Sequence, residues 1–152
     1  MPSIFVDADA CPVKDEIIRV ADRHGLKTYL VSDGGIRPSR NPLVQIVVVA
    51  SGMDAADDWI ADRIDAGDIA VTADTPLAGR CIAKGARVLR FNGEPVDEQS
   101  IGSALATRDL MNHLRETGTI TGGPPPFSDR DRARFLNALE VMVQAARRDA
   151  DR

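Results

Sequence analysis

This chain of 152 residues is short of aromatics, cysteines, long apolar runs and basic excess, and each shortage excludes something. Aromatic side chains make up 4% of residues, too few for the stacking platforms that hold single-stranded bases. The two cysteines, Cys11 and Cys81, allow at most one disulfide, and a chain of this length buries enough core to do without it, so reduced thiols are expected. No stretch approaches the roughly 20 consecutive apolar residues of a membrane-spanning helix, and Met1-Pro2-Ser3 is not a basic region leading into an apolar run. The expected location is the cytoplasm. The 19 basic side chains are outnumbered by 23 acidic ones, for a net charge of −4. That sign argues against an uninterrupted nucleic-acid-binding surface, so a polyanion would need a local basic patch or bridging cations.

What is present suits an ordinary globular domain, with 43% apolar and 28% charged residues. One domain over residues 1–148 is expected, with 149–152 as a flexible tail. Ile4-Phe5-Val6 reads as a strand ending at Asp7, and Val13, Ile17, Ile18 and Ala21 then repeat at helical spacing until Gly25. Thr28 to Val31 is a second strand, followed by a long Gly, Pro, Ser and Arg loop from Ser32 to Pro42. The β-branched run Val44 to Ala50 predicts a central, fully buried strand. Asp54 is placed to cap a helix carrying Trp59, Ile60 and Ile64, ending at Gly67, with Trp59 expected in the core. A strand over Ile69–Thr72, a short helix entered at Pro76 and closed at Gly85, and a strand over Arg87–Phe91 follow. This alternation with short connections predicts a three-layer α/β/α sandwich around a mainly parallel sheet. Beyond it lie a helix from Ser100 to Glu116, a rigid non-helical segment over Gly122–Pro126, and a last helix that Ser128 and Asp131 can cap reciprocally. That helix carries Phe135, Leu139, Met142, Val143 and Ala146 on one stripe, expected to pack on the sheet or on a second copy of the chain.

Ligands of an open parallel sheet bind beyond the carboxyl ends of its strands. The expected strand ends deliver Asp7 and Asp9, Ser32 and Asp33, Ser51 and Asp54, Asp74, and Asn92 and Glu94 to one rim. Carboxylates crowded together raise one another's pKa, and a divalent cation relieves the conflict. Oxygen-only ligation selects hard ions, and His24 and His113 stand alone, so Mg²⁺ or Mn²⁺ suits this rim and zinc does not. Two such ions can activate water and steady the leaving oxygen in phosphodiester cleavage. Taken singly, Asp7, Asp9, Asp54 or Asp74 is as readily a helix cap or turn residue as a ligand. It is their convergence that points to a site.

The motifs carry a resemblance over nearly the whole chain. Val-Asp-Ala-Asp-Ala-Cys-Pro at 6–12, Asp-Ala-Ala-Asp-Asp-Trp-Ile at 54–60, Gly67-Asp68, Val-Thr-Ala-Asp at 71–74, Pro76 to Ala78, and Gly122 to Ser128 followed by Asp131-Arg132 resemble the bacterial YaiI/YqxD family. That family is grouped with PIN-like domains, which are similar to metal-dependent nucleases of the RNA-processing, toxin and flap-endonuclease types. The resemblance implies a metal-dependent nuclease whose acids are Asp7, either Asp57 or Asp58 on the central helix, and Asp74, with Asp9 as an additional acid at that rim. Asp7, Asp57 and Asp74 are then the expected catalytic set, and RNA is the implied substrate.

Three further features complete the expectations. Lys14, Arg37, Arg40 and Arg80 are candidates for a phosphate-binding rim, with plain solvation as the alternative, and the long loop holding Arg37 and Arg40 could act as a lid. Cys11 before Pro12 is expected to be a buried small hydrophobe rather than a reactive thiol. Asp7-Ala8-Asp9 also resembles the start of haloacid-dehalogenase-type phosphatases, with Asp7 as nucleophile, Asp9 as acid/base and Ser51 supplying a second motif, although Cys11 and the missing late lysine depart from that pattern. A non-catalytic PIN-like scaffold that binds RNA, a nucleotide or a protein is the remaining alternative.

Overall fold

The structure is a computed structural model that describes residues 1–52, 54–116 and 126–151. In chain order it contains β1 (Ile4–Asp7), α1 (Lys14–His24), β2 (Thr28–Ser32), β3 (Val44–Val48), α2 (Ala55–Arg63), β4 (Ile69–Val71), α3 (Thr75–Ala83), β5 (Arg87–Leu89), β6 (Pro95–Val96), α4 (Glu98–Glu116) and α5 (Asp129–Ala150). One six-stranded sheet runs β3-β2-β1-β4-β5-β6, parallel throughout except for β6. The segment 122–125, expected to be rigid, lies outside the described residues.

The two-residue alternation of the strands sorts side chains between two cores. Ile4, Val6, Leu30, Ile69, Val71 and Leu89 point to one face, where they meet Val13 just before α1, Ile17 and Val20 within it, and Phe135, Leu139, Val143 and Ala146 of α5. Phe5, Val31, Ala70 and Val88 point to the other, against Ile60 and Ala61 of α2 and Leu77, Ala78 and Cys81 of α3. Helices on both faces give the three layers, as the alternation implied. The stripe of α5 is consumed within its own chain, so it is not free to receive a second copy; Val141, which points outward, is 66% exposed.

Local chemistry explains the helix boundaries. Gly25 ends α1 in the left-handed conformation (φ 67°), as its position suggested. Ser128 and Asp131 form the reciprocal capping box that opens α5. The helix continues through Ala150, with an ion pair from Arg87 to Asp149, so the expected tail at 149–152 begins as helix. Between α5 and α1, Arg147 donates to His24 Nδ1 at 2.8 Å, and because a guanidinium cannot accept, the other ring nitrogen carries the hydrogen that meets Glu140 at 2.8 Å.

Three expectations need correction. The run from Val44 forms an edge strand, not a central one: Gln45 is exposed and Val48 is 66% exposed. Helix α2 ends at Arg63, with Ile64 as its extended C-cap, well before Gly67. Trp59 is half-buried rather than in the core, with its ring centroid 6.2 Å from that of Phe5, 5.7 Å from that of Tyr29 and 4.4 Å from the Arg63 guanidinium.

The β5–β6 hairpin also went unforeseen. Its turn is closed by Arg90 N–H to Glu94 O at 2.9 Å and by Glu94 N–H to Asn92 Oδ1 at 3.0 Å, so Asn92 shapes the turn. Gly93 sits there at φ 89°, where an added Cβ would stand 2.8 Å from the Arg134 backbone of α5. Gly93→Ala therefore combines a forbidden backbone conformation with a clash against an element that cannot yield. We expect a loss of roughly 2–4 kcal/mol, read as a lower urea midpoint at unchanged slope.

Candidate functional site

Asp7 is the last residue of the central strand β1 and Thr72 is the first after its parallel neighbour β4. In the β1–β4 register Val6 pairs with Val71, which sets Asp7 beside Thr72 on the α2/α3 face. The fully buried Thr72 hydroxyl donates to Asp7 Oδ2 at 3.0 Å and accepts the Asp74 N–H, also at 3.0 Å. The Asp7 carboxylate thus lies within two hydrogen-bond lengths of the Asp74 backbone. Asp74 in turn caps α3, its Oδ1 accepting Leu77 N–H at 2.8 Å. Cap and candidate ligand are one residue using different oxygens.

The third acid arrives on α2. Asp57 precedes the buried Ile60 and Ala61 by three and four positions, and that spacing turns it inward. Partial burial, then the charges of Asp74, Asp7 and Asp54, push its carboxyl up to about 6. Asp7 is raised as well, by burial against the opposing help of Thr72 and by the charges of Asp74 and Asp9. Asp58 faces away, pairing at 2.8 Å with Arg80 on α3 while remaining 58% exposed. Of the two adjacent acids on the central helix, Asp57 is the one that feels the rim.

The remaining candidates separate by geometry. Asp9 is exposed and accepts the Asp33 N–H at 3.4 Å, standing at the edge of the acidic group. Asp54 occupies the N-cap position of α2 without a side-chain capping bond. The Lys14 ammonium donates to Cys11 O at 3.1 Å and Ala8 O at 3.5 Å, clamping the turn in which Ala10 adopts φ 58°. Arg80 is engaged by Asp58. Arg40 is far from the rim, because the neighbouring Asn41 already bonds Asp22 on the third turn of α1 and Val44 pairs with Thr28 at the start of β2. Arg37 is exposed, earlier in the same loop. Cys11 is buried, and burial lifts its thiol to about 11, so it stays protonated and inert.

The site differs from the phosphatase pattern at its second motif. Ser51 follows the edge strand β3, two strands from β1, which places it about 10 Å to the side of Asp7. The hydroxyl actually beside Asp7 belongs to Thr72, which reasoning from the sequence passed over. Its signal was the Thr-x-Asp spacing at a strand end, where a hydroxyl two residues before an N-cap can bond backward and forward.

The donor set consists of hard carboxylate oxygens, which fits Mg²⁺ or Mn²⁺. Asp7 and Asp74 each have one oxygen engaged and a second without a hydrogen-bond partner among the described residues. Among those residues no three His, Cys, Asp or Glu side chains close around one point as a metal cage. An ion at this rim would be held by one or two carboxylates, with water completing its shell, the mode Mg²⁺ commonly adopts.

Fold and rim together define a mainly parallel three-layer α/β/α protein with acids gathered at the carboxyl end of its central strands. Over residues 5–145 the chain matches the family described as Uncharacterized BCR, YaiI/YqxD family, and it belongs to that family. It is 56% identical over 148 residues to a UPF0178 protein of Paramagnetospirillum magneticum, covering 97% of this chain and 98% of that one. A UPF0178 protein of Parvibaculum lavamentivorans is 57% identical over 97% of both chains, and one of Ruegeria pomeroyi is 55% identical over 99% of both. No solved structure matches the chain. Among the described residues no helix is long and apolar enough to cross a membrane.

Proposed function

We propose that this protein hydrolyses phosphodiester bonds of single-stranded RNA at the acidic rim, in the manner of a PIN-like nuclease, with one or two Mg²⁺ or Mn²⁺ ions held by Asp7 and Asp74. The observation that carries this reading is the convergence of acids from separate elements at one rim: one Thr72 hydroxyl bonds both the Asp7 carboxylate and the Asp74 N–H, and burial, then neighbouring negative charge, raises Asp7 and Asp57 there, a conflict a cation would offset. When bound, the ion supplies positive charge to a phosphate oxygen and lowers the pKa of water.

The chain's own residues do the rest. Thr72 fixes the Asp7 carboxylate by donating to one oxygen, which leaves the other without a hydrogen-bond partner among the described residues. The α3 N-terminus holds Asp74 by its cap bond, so neither acid needs to reorganise when substrate arrives. Asp57, raised to about 6, is mostly ionised near neutrality and basic enough to accept the proton of an attacking water. With so few aromatics, recognition runs through phosphate and not through stacked bases.

The test incubates the full-length protein with labelled single-stranded RNA in Mn²⁺ or in chelator. Cleavage in Mn²⁺ that chelator stops is the expected result. RNA bound but left intact would support a non-catalytic scaffold, and turnover of a phosphomonoester in place of RNA would support the phosphatase.

A further inference from the structure

Asp7, Thr72 and Arg90 stand in one row across three adjacent strands. Val6 pairs with Val71 and Val71 with Leu89, so the next residues of β1, β4 and β5 lie side by side at the carboxyl rim. All three follow the alternation that faces α2 and α3: Phe5, Ala70 and Val88, two residues earlier on each strand, belong to that core. The Arg90 backbone is then two strand spacings, about 10 Å, from that of Asp7. Its guanidinium reaches α3, donating to Thr75 Oγ1 at 3.3 Å, and Thr75 immediately follows the cap residue Asp74.

Arg90 is half-buried and has no carboxylate within ion-pair distance among the described residues, although several acids lie one or two strands away. By contrast Arg23, Arg80, Arg87 and Arg132 each meet an acid. The one bond to Thr75 occupies a single donor of the five a guanidinium carries. None of the others is a buried donor lacking a partner, so they remain open to solvent. Arg90 lines a cavity of about 540 Å³ between the β5–β6 hairpin and α4, where Ser100, Ser103 and Thr107 add hydroxyls and Glu94 is the one carboxylate among the described lining residues.

We propose that Arg90 and this hydroxyl-lined cavity bind the backbone phosphate next to the one held at the acids. The proposal rests on the hydrolytic reading of the rim and names how the strand is held there. A forked guanidinium with donors to spare matches phosphate oxygens, while hydroxyls can serve phosphate or ribose. In a chain of net negative charge this is the local basic element that a polyanion requires.

The experiment follows fluorescence anisotropy of a labelled single-stranded RNA oligonucleotide on the full-length protein, with Ca²⁺ replacing Mn²⁺ and KCl varied. Arg90→Ala is expected to weaken binding about tenfold and to reduce the salt slope by about one. Arg90→Lys, which keeps the charge and loses the fork, should retain the slope with intermediate affinity. A purely structural role would lower the melting temperature of Arg90→Ala while leaving the salt slope as in wild type, and that outcome overturns the proposal. RNA cleaved in Mn²⁺ but bound equally by Arg90→Ala overturns the anchor and leaves the hydrolytic reading standing. Arg90-dependent binding without cleavage supports the anchor and removes the hydrolysis. No binding by wild type overturns the anchor, and no cleavage in Mn²⁺ overturns the hydrolytic reading.

Discussion

Asp7→Asn is expected to cut Mn²⁺-dependent RNA cleavage by roughly a hundredfold or more, because several kcal/mol of transition-state charge stabilisation pass through a metal site and each 1.36 kcal/mol is a factor of ten. The same change should stabilise the metal-free protein. Asparagine still accepts the Thr72 hydroxyl, while the charge that burial disfavours and that Asp74 and Asp9 repel is gone. Opposite signs for activity and stability mark a residue retained for function. Asp74 adds a control of its own. Asp74→Asn keeps the cap on Leu77 N–H, so it should lose cleavage at near-wild-type stability, whereas Asp74→Ala also loses about 1 kcal/mol of cap. Parallel cleavage assays and thermal melts check all three variants. Full activity in Asp7→Asn with a lowered melting temperature would mean that this carboxylate is structural.

The metal-free protein should become more stable as pH falls from 7 to 5. For an acid the sign follows from where protons bind: Asp57 has a folded pKa of about 6 against an ordinary 3.8, so between those values the folded state holds more protons than the unfolded chain. Its unfavourable contribution is complete above pH 6 and disappears as pH falls towards 4. Asp7 shifts in the same direction. Because Asp57 is only partly buried, solvent screening reduces the effect to about 1 kcal/mol, a rise of roughly 2–4 °C in melting temperature. Glu140 opposes this, since hydrogen bonds from Gln144, His24 and Arg23 outweigh its desolvation and shift it downward. Comparison with Asp57→Asn isolates the rim, because the variant keeps the Glu140 contribution and loses the Asp57 one. Mn²⁺ should reproduce the stabilisation at pH 7 by binding the folded state alone, and the gain should shrink at pH 5 as protons compete. A melting temperature for wild type and Asp57→Asn that tracks pH identically would remove Asp57 from the acidic group.

The layered architecture was legible because strand alternation and helical spacing are local. So were most of the acids, since a strand end is visible as the place where an apolar run meets Asp. Sheet order was not local. The Val44 run lies at the edge, and the one hint in the sequence was Gln45 in its middle; apolar content alone does not separate a strand covered by helices from one flanked on a single side. The choice between Asp57 and Asp58 was in fact present in the spacing to Ile60 and Ala61. The Asp58–Arg80 pair joins two helices, however, and no pattern within α2 announces it. Arg90 was hidden for a related reason: inside the expected strand Arg87–Phe91 it read as one more strand residue, and only the register across β1, β4 and β5 aligns it with Asp7.

The hydrogen bond between Thr72 and Asp7 joins residues 65 apart in sequence. Strand β1 is made first, yet it lies inside the sheet, with β2 on one side and β4 on the other. During synthesis its second edge waits until β4 has emerged, and a pairing of such long range forms slowly. Until then Asp7 has neither its hydroxyl partner nor its neighbouring acid. The acidic group thus comes into being together with the completed sheet, and a nascent or truncated chain ending before residue 72 lacks the paired arrangement of Asp7 and Asp74.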